Sequence, residues 1–312
     1  MEPPPGHSIE WHPQDPAWRA DALGPSRHSR LADEIRPPDP PRTDPEAVVD
    51  LCAELARGQL GDFAPALALL TRPERRRAQA LFSHAAVLFD FARQRGVEGE
   101  RLAAINRWEF ALEEALSGRP AGQPIVAAMG REQGRRRWAA EGLDALASCA
   151  RHRATHDQPE TADEAEYHAR KLARAIGHLW LGTPPPAEIE ALGAGLIRLH
   201  RLQQLGSEAA AGRCPLPRAE VGDAAASLPS DAVLLQGARR ECARLRPLFL
   251  GGARGLPALP AGFRQSVAYA LFAGLSLLSQ IEEADENLFV APPRIGLRAR
   301  IGLIVRARWL RV

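Results

Sequence analysis

The 312-residue chain has 45% hydrophobic and 25% charged residues, a composition typical of globular proteins with room for one large domain or two small ones. Its net charge of +2 and its aromatic content of 5% argue against a nucleic-acid surface, which needs a basic patch or stacking platforms. The four cysteines contain no C-x-x-C pair, which argues against a cysteine-based zinc or redox site and is typical of a reducing compartment.

The N-terminal residues differ from the rest of the chain. Residues 1–45 hold 11 of the 27 prolines, and repeated proline removes backbone donors and fixes φ. We therefore interpret 1–45 as an irregular Pro-rich arm in front of a single domain at 46–312. The arm lacks the basic-then-apolar pattern of a signal peptide, and no uncharged apolar run of the chain reaches the ~20 residues of a membrane span. These features predict a cytoplasmic protein.

Helical periodicity begins directly after the arm. Asp44, Pro45 and Glu46 supply the capping residue, the first-turn proline and the early acid of a helix start. Apolar residues then recur at helical spacing, and further helices are predicted to begin near Pro73 and near Leu102.

The second half of the chain shows the same helical pattern. A helix at 161–181 begins with a T-x-x-E capping box, and another is predicted at 187–211. Two long helices should start near Asp231 and Phe263, with a Pro/Gly-rich break at 251–260 between them. No segment alternates with the period of a strand, so an all-α helical bundle is predicted.

The C-terminal segment 294–312 interleaves six arginines with Ile, Leu, Val and Trp309. One interpretation is a helix that lies on an anionic membrane surface and gives the protein a peripheral membrane contact. The other, which we favour from the sequence, is a terminal helix whose basic face is simply solvated.

Several segments carry a resemblance to a known family. PERRR at 73–77 opens a long predicted helix, and GSEAAAGRCPLP at 206–217 is similar to the pattern G-E-D-A-x-x-G-R-x-Y-L-P. Residues 282–311 combine a helix end, a basic turn and an Arg-rich helix. In this order and spacing the chain resembles the squalene/phytoene synthase family over roughly 46–310. The resemblance implies an isoprenoid-synthase-type bundle with a central apolar cavity.

The resemblance also implies chemistry on prenyl diphosphates. In that family two prenyl diphosphates lie between the helices, and Mg²⁺ ions neutralise the departing pyrophosphate. Aspartates of a D-D-x-x-D motif and a facing D-x-x-x-D motif hold these ions, because spacing of i and i+4 puts the carboxylates on one helical face.

Most of these aspartates are replaced in this chain. In the first motif Asp90 matches the first aspartate, whereas Phe91 and Gln94 replace the other two. In the second motif Gln204 replaces the first aspartate and Glu208 replaces the last. One Asp and one Glu are too few for a three-ion cluster, so we expect at most a residual Mg²⁺ site at these two carboxylates.

Other positions also depart from the family pattern. His200 stands where the family has Asn, His168 where it has Tyr and Arg174 where it has Gly, while Arg153 falls on an upstream aspartate. Asp62 lies in an element that resembles one near the family's diphosphate site, where a carboxylate would repel phosphate. These replacements favour lost or altered chemistry.

Three interpretations follow. The favoured one is a catalytically impaired pseudoenzyme that serves as an accessory subunit of an active sister protein or of an assembly complex. The second is a non-standard prenyltransferase in which arginines grip the diphosphate and Asp90, Glu208 or His200 acts as base or metal ligand. The third is an unaltered head-to-head synthase. The candidate diphosphate-binding arginines are Arg93, Arg153, Arg174, Arg198 and Arg201.

Two histidines outside these motifs also stand at a ligand spacing. His152 and His156 are separated by four residues, a spacing that binds metal on one helical face. No Glu lies between them and a helix end follows at Asp157, so ordinary exposed histidines are the simpler interpretation.

Overall fold

The computed structural model describes residues 44–94, 96–223, 230–284, 286–289 and 291–309. Within these ranges the chain forms twelve α-helices, three 3₁₀-helices and no β-strand, which confirms the all-α prediction. The predicted arm lies outside the described residues, apart from its last two positions. The α-helices are α1 Pro45–Leu60, α2 Arg72–Arg93, α3 Glu98–Leu116, α4 Pro124–Arg135, α5 Ala140–Thr155, α6 Ala162–Leu181, α7 Ala187–Gln203, α8 Leu205–Ala210, α9 Arg218–Val221, α10 Asp231–Gly255, α11 Ala261–Glu283 and α12 Leu297–Arg308. The 3₁₀-helices are Gly61–Leu69, Leu256–Ala258 and Glu286–Phe289.

The predicted helix starts are made by local side-chain caps. The Asp44 carboxylate accepts the backbone N–H of Glu46 at 3.0 Å at the start of α1. At the start of α6 the Thr161 hydroxyl accepts the backbone N–H of Glu164 at 3.2 Å. The Glu164 carboxylate accepts the backbone N–H of Glu160 at 2.7 Å, one residue before the cap. Both caps satisfy donors that the first helical turn leaves without a partner.

The segment predicted as one helix at 187–211 is two helices. α7 ends at Gln203, and Gln204, with φ −99° and ψ 5°, separates it from α8. A Cβ atom on Gly206 would lie 2.2 Å from the carbonyl oxygen of Phe289, so glycine is required where α8 meets the third 3₁₀-helix. The break turns α8 out of the line of α7 and thereby sets the position of Glu208.

The break predicted at 251–260 is shorter than expected. α10 continues through two glycines to Gly255, and only a 3₁₀-turn and two residues separate it from α11 at Ala261. A Cβ on Gly252 would lie 2.5 Å from the Cβ of Leu192, so this glycine lets α7 and α10 approach closely. Helix packing therefore outweighs the local preference of glycine for a turn.

Two hydrophobic clusters form the core and meet at α6. One joins α1 to α5 around the buried Trp108, and the other joins α7, α10, α11 and the first 3₁₀-helix around Phe249. Ile176 and Trp180 of α6 pack against both clusters. No helix of the described part of the chain is long and apolar enough to cross a bilayer.

Candidate functional site: an apolar cavity with a cationic end

A cavity of about 240 Å³ lies where the two core clusters meet, between α2, α6, α7 and α11. Most of its wall is apolar, and its larger side chains include Phe63, Phe82, Phe89, Leu172, Ile176 and Trp180. A concave site of this kind, with its polar groups gathered in one place, suits a ligand that has a hydrocarbon chain and a polar head.

Apart from Gln59 and Ser266, the polar side chains of the cavity come from four helices. Arg93 ends α2, Arg153 lies in the last turn of α5, and His200 and Arg201 lie in the last turn of α7. Gln204 and Glu208 follow from the α7–α8 break and from α8. Together with Arg213, which contacts Glu208, we call this set the cationic end.

Three guanidinium groups surround the carboxylate of Glu208. Its Oε2 atom accepts hydrogen bonds from Arg153 at 2.5 Å and from Arg213 at 3.0 Å, and its Oε1 atom lies 3.8 Å from Arg93. Burial favours the neutral acid, but the three arginines outweigh it and hold the pKa of Glu208 at about 2. Glu208 is therefore ionised at neutral pH, and one carboxylate faces three cations.

A fourth arginine adds further positive charge. Burial, with a contribution from the nearby Arg153, lowers the pKa of Arg201 to about 9, so the group stays protonated at neutral pH. No ion-pair or hydrogen-bond partner of Arg201 is found among the residues that the structure describes. A cation of this kind on a cavity wall is a ready partner for an anionic ligand.

A hydrogen-bonded chain links Arg93 to His200. Arg93 Nη1 donates to Gln204 Oε1 at 3.2 Å, which directs the Gln204 amide nitrogen to His200 Nε2 at 2.9 Å. His200 Nε2 must then accept, so its proton lies on Nδ1. Burial lowers the pKa of His200 to about 4, so the imidazole is neutral at pH 7. Its basic nitrogen is already occupied by Gln204, which weakens the case for His200 as a base.

In the segment that corresponds to the first aspartate motif, the side chains that line the cavity differ from those expected from the sequence. Asp90 is buried at 3% exposure but is not among the residues that line the cavity, and Phe91 packs edge-on against Trp108 at a centroid distance of 5.8 Å. Phe89 and Arg93, one turn apart, face the cavity instead. Gln94 caps the C-terminus of α2. Asp90 thus lies outside the lining of the cavity.

Two candidate arginines lie away from the cavity. Arg198 is buried in a fork–fork ion pair with Glu241, at 2.6 and 2.8 Å, and also contacts Glu166 at 3.3 Å. Arg174 is largely exposed and lies 4.0 Å from Glu190. Both guanidinium groups are therefore engaged in ion pairs within the helical scaffold.

Asp62 is close to the domain core but its charge is neutralised locally. Its carboxylate accepts from Arg300 at 2.6 Å, from the backbone N–H of Ile295 at 3.2 Å and from Gln203 at 3.1 Å. Asp62 is not among the residues lining the cavity. Because Arg300 offsets its charge, the Asp62 carboxylate should repel phosphate less than the sequence suggested. Its contacts also join the first 3₁₀-helix to Ile295 and to α12.

The model of the squalene/phytoene synthase family matches residues 56–302. The chain belongs to the squalene/phytoene synthase family. No curated protein sequence matches it.

Solved structures of this architecture cover most of the chain. A dehydrosqualene synthase with a bound ligand is 17% identical, with a TM-score of 0.66 over 85% of this chain and 98% of that one. The squalene synthase HpnC of Alicyclobacillus acidocaldarius is 19% identical, with a TM-score of 0.63 over 81% of this chain and 97% of that one. YisP of Bacillus subtilis is 14% identical, with a TM-score of 0.57 over 85% and 99%. At these identities the likeness establishes the fold.

The donor set of the cationic end does not fit the Mg²⁺ cluster that the squalene/phytoene synthase family implies. Glu208 is the single carboxylate among the described residues that line the cavity, and its oxygens are engaged by three arginines. Mg²⁺ requires hard, anionic oxygens, whereas guanidinium groups repel a cation. The cationic end is suited to an anion.

Two contributors to the site were missed from the sequence. Arg213 both pairs with Glu208 and donates to the backbone carbonyl of Arg93 at 3.0 Å, closing the cationic end. The sequence did contain a signal for Arg213, because it matches the Arg of the Gly-Arg pair in the family pattern at 206–217. Phe89 was missed because the sequence alone does not show which helix face lines the cavity.

His168, a candidate motif position, lines a second, smaller cavity beside the first.

Proposed function

We propose that the protein binds a prenyl diphosphate, with its hydrocarbon chain in the apolar cavity and its diphosphate on arginines where active relatives use Mg²⁺. The observation that carries this proposal is the cationic end, where Arg93, Arg153 and Arg213 contact Glu208 and Arg201 lies on the same cavity wall. Glu208 is the one carboxylate among the described residues that line the cavity. Guanidinium forks match phosphate oxygens in geometry and charge, so they can hold a diphosphate without a metal ion.

The same geometry supports a catalytically impaired protein. Ionising an allylic diphosphate requires strong neutralisation of the departing pyrophosphate, and Glu208 already offsets part of the arginines' charge. The lone pair of His200 Nε2 is occupied by Gln204, and Asp90 does not line the cavity, so neither of these two candidate bases is available at the cationic end. A protein of this kind would bind isoprenoid and act as the accessory partner of a subunit with intact aspartate motifs.

The binding proposal is tested with Arg201→Met, since Arg201 has no hydrogen bond or ion pair among the described residues and the change preserves much of the side-chain volume. Calorimetry should show affinity for farnesyl diphosphate reduced about 10- to 100-fold, the worth of a charge-assisted contact, with farnesol binding unchanged. The matched control is Arg174→Met on α6, outside the cavity, which should leave both affinities unchanged. Equal effects of the two substitutions, or binding of farnesol without farnesyl diphosphate, would refute the proposal.

A prenyltransferase without a metal cluster is the second candidate function. It is favoured by the continuity of the cationic end, in which Arg93, Gln204 and His200 are linked by hydrogen bonds and lie beside Arg153. Arginines alone would then stabilise the pyrophosphate leaving group. Release of pyrophosphate from farnesyl diphosphate in EDTA, lost in Arg153→Met, would establish this function over the accessory role.

We also propose that α12 contacts an anionic membrane surface. Leu297, Ile301, Val305 and Trp309 follow one another at intervals of four residues and are 74%, 55%, 50% and 73% exposed. Exposed arginines flank this stripe on the same helix, so apolar insertion and attraction to acidic headgroups act together. Ligands with long isoprenoid chains partition into bilayers, which makes a membrane the natural source for the cavity.

Vesicle sedimentation tests the membrane contact. The protein should bind vesicles that contain phosphatidylglycerol, and Ile301→Glu should reduce binding by about tenfold or more, because a charge would have to enter the apolar interface. Phe110→Glu, at an apolar position on α3 that is at least as exposed as Ile301, is the matched control and should leave binding unchanged. Vesicle binding that is absent, or that is lost equally in both variants, would rule out α12 as the contact.

A further inference from the structure

A second, smaller cavity of about 40 Å³ adjoins the main one between α5 and α6. The two cavities share five wall residues, including Arg153 and Arg201, and the second is also lined by three histidines. His152 stacks between the other two, with ring centroids 4.1 Å from His156 and 3.6 Å from His168. Three imidazoles and a nearby carboxylate are thus gathered at one point of the bundle.

The ligand atoms at this point are close enough to share one ion. One donor atom each of His152, Glu164 and His168 can be chosen so that all lie within 4.8 Å of one another. Glu164 and His168 stand one turn apart on α6, with Oε1 and Nε2 separated by 3.8 Å, while His152 reaches across from α5. Two packed helices, held at fixed distance, therefore supply the donors.

The carboxylate is oriented by a contact of its own. Glu164 accepts the backbone N–H of Glu160 through Oε2 at 2.7 Å, while Oε1 is the oxygen directed to His168. A ligand whose second atom is fixed by a hydrogen bond is the arrangement found around protein metal centres. The N-terminal cap of α6 by Thr161 further fixes the backbone that carries Glu164.

We propose that His152, Glu164 and His168 form a binding site for a single transition-metal dication of the Zn²⁺ class. Two imidazoles and one carboxylate are borderline donors that favour Zn²⁺, Co²⁺ or Ni²⁺ over Mg²⁺, and three protein ligands leave room for a solvent or anionic ligand. The site lies beside the cationic end rather than at the motif positions Gln204 and Glu208. The proposal does not depend on prenyl diphosphate binding.

Metal titration of the tag-free full chain tests the site. After treatment with chelator and desalting, calorimetry with Zn²⁺ should give one site per chain, and Co²⁺ should give visible absorption bands of nitrogen and oxygen coordination. Excess Mg²⁺ should not compete. We expect His168→Ala and Glu164→Gln each to weaken Zn²⁺ binding by about tenfold or more. Glu164→Gln retains an oxygen for the Glu160 N–H, so a folding defect is not expected from that variant.

The matched control is His178→Ala, a change of the half-buried histidine at the other end of α6. It should leave the affinity and the Co²⁺ bands unchanged. Absence of Zn²⁺ uptake by the intact protein, or uptake that His168→Ala and Glu164→Gln leave as tight as in the His178→Ala control, would overturn the proposal.

Discussion

Glu208 and Arg153 are each only 6% exposed, so their ion pair lies in the interior of the protein. Removing one member of such a pair leaves a buried charge with less compensation, which is far more costly than losing a surface pair. The arginines of the cationic end thus have two roles in this account, holding Glu208 in the folded protein and offering charge to a ligand.

Arg153→Ala should therefore lower the free energy of unfolding by roughly 3 kcal/mol, because Glu208 keeps only Arg213 and the more distant Arg93. Urea unfolding followed by circular dichroism measures this loss. Arg174→Ala, at an exposed ion pair of 4.0 Å, should change stability by no more than about 0.5 kcal/mol. Similar losses in the two variants would contradict the buried ion-pair network.

His84 is a second residue whose burial has a measurable consequence. Its Nδ1 atom accepts the indole N–H of Trp108 at 2.9 Å, and burial lowers its pKa from 6.5 to about 4. Between these values the unfolded chain binds a proton that the folded chain does not. The contribution of His84 to stability is thus complete above about pH 6.5 and is lost as the pH falls toward 4.

Because of His84 alone, we expect the free energy of unfolding to fall by up to roughly 3 kcal/mol between pH 7 and pH 4. His84→Gln retains an oxygen acceptor for Trp108 but does not titrate, so its stability should decline less steeply. Burial lowers the pKa of His152 and His200 in the same direction, so a residual slope should remain. Identical pH profiles for the original and the variant would contradict the account of His84.

At the scale of helices, the α7–α8 break determines where the second motif lies. Gly206→Ala would place a Cβ 2.2 Å from the backbone carbonyl of Phe289, and backbone cannot move aside as a flexible side chain does. We expect a loss of roughly 1–3 kcal/mol from this overpacking, together with weaker ligand binding because Glu208 and Arg213 shift.

The matched control is Gly251→Ala in the interior of α10, where an added Cβ meets no atom within 4 Å. It should be neutral or stabilising by up to about 1 kcal/mol, because alanine favours the helix. Thermal unfolding of the two variants measures both effects. A Gly206→Ala protein as stable as the control would show that α8 and the third 3₁₀-helix are not held in close contact.

Local signals in the sequence predicted helix starts better than helix breaks. The capping atoms of Asp44 and Thr161 act within three residues, so their patterns are legible without the fold. The break at Gln204 depends on Phe289, more than 80 residues away, and the continuation of α10 through Gly252 depends on Leu192. Such tertiary contacts leave no local pattern for a sequence reading to find.

At the scale of the whole molecule, the chain has the helix arrangement of its structural neighbours, and the polar end of its cavity carries more arginines than carboxylates among the described residues. The resemblance alone indicated Arg93, Arg153, His200, Arg201 and Glu208, and the structure brings these residues together. The resemblance also indicated Asp90 and Arg198, which do not line the cavity. One residue along a helix turns a side chain by about 100°, so Phe89 lines the cavity and Asp90 does not. Arg198 pairs with Glu241, a residue remote in sequence.

The positive charge of the cationic end has one direct consequence for the Mg²⁺ dependence of ligand binding. A site that holds Mg²⁺ through aspartates binds diphosphate only when the metal is present, whereas a site of guanidinium groups needs no cation. Free Mg²⁺ should even compete slightly, because it associates with diphosphate in solution. The metal dependence of binding therefore separates the arginine-based site from an ordinary squalene or phytoene synthase.

The most direct test of this account is calorimetry of farnesyl diphosphate binding in EDTA and again in excess Mg²⁺, with pyrophosphate release followed in parallel. We predict binding in EDTA, an affinity that Mg²⁺ leaves unchanged or slightly lowers, and no enzymatic release of pyrophosphate in Mg²⁺. Binding that requires Mg²⁺, or Mg²⁺-dependent release that Glu208→Gln abolishes, would contradict the account and restore a conventional synthase.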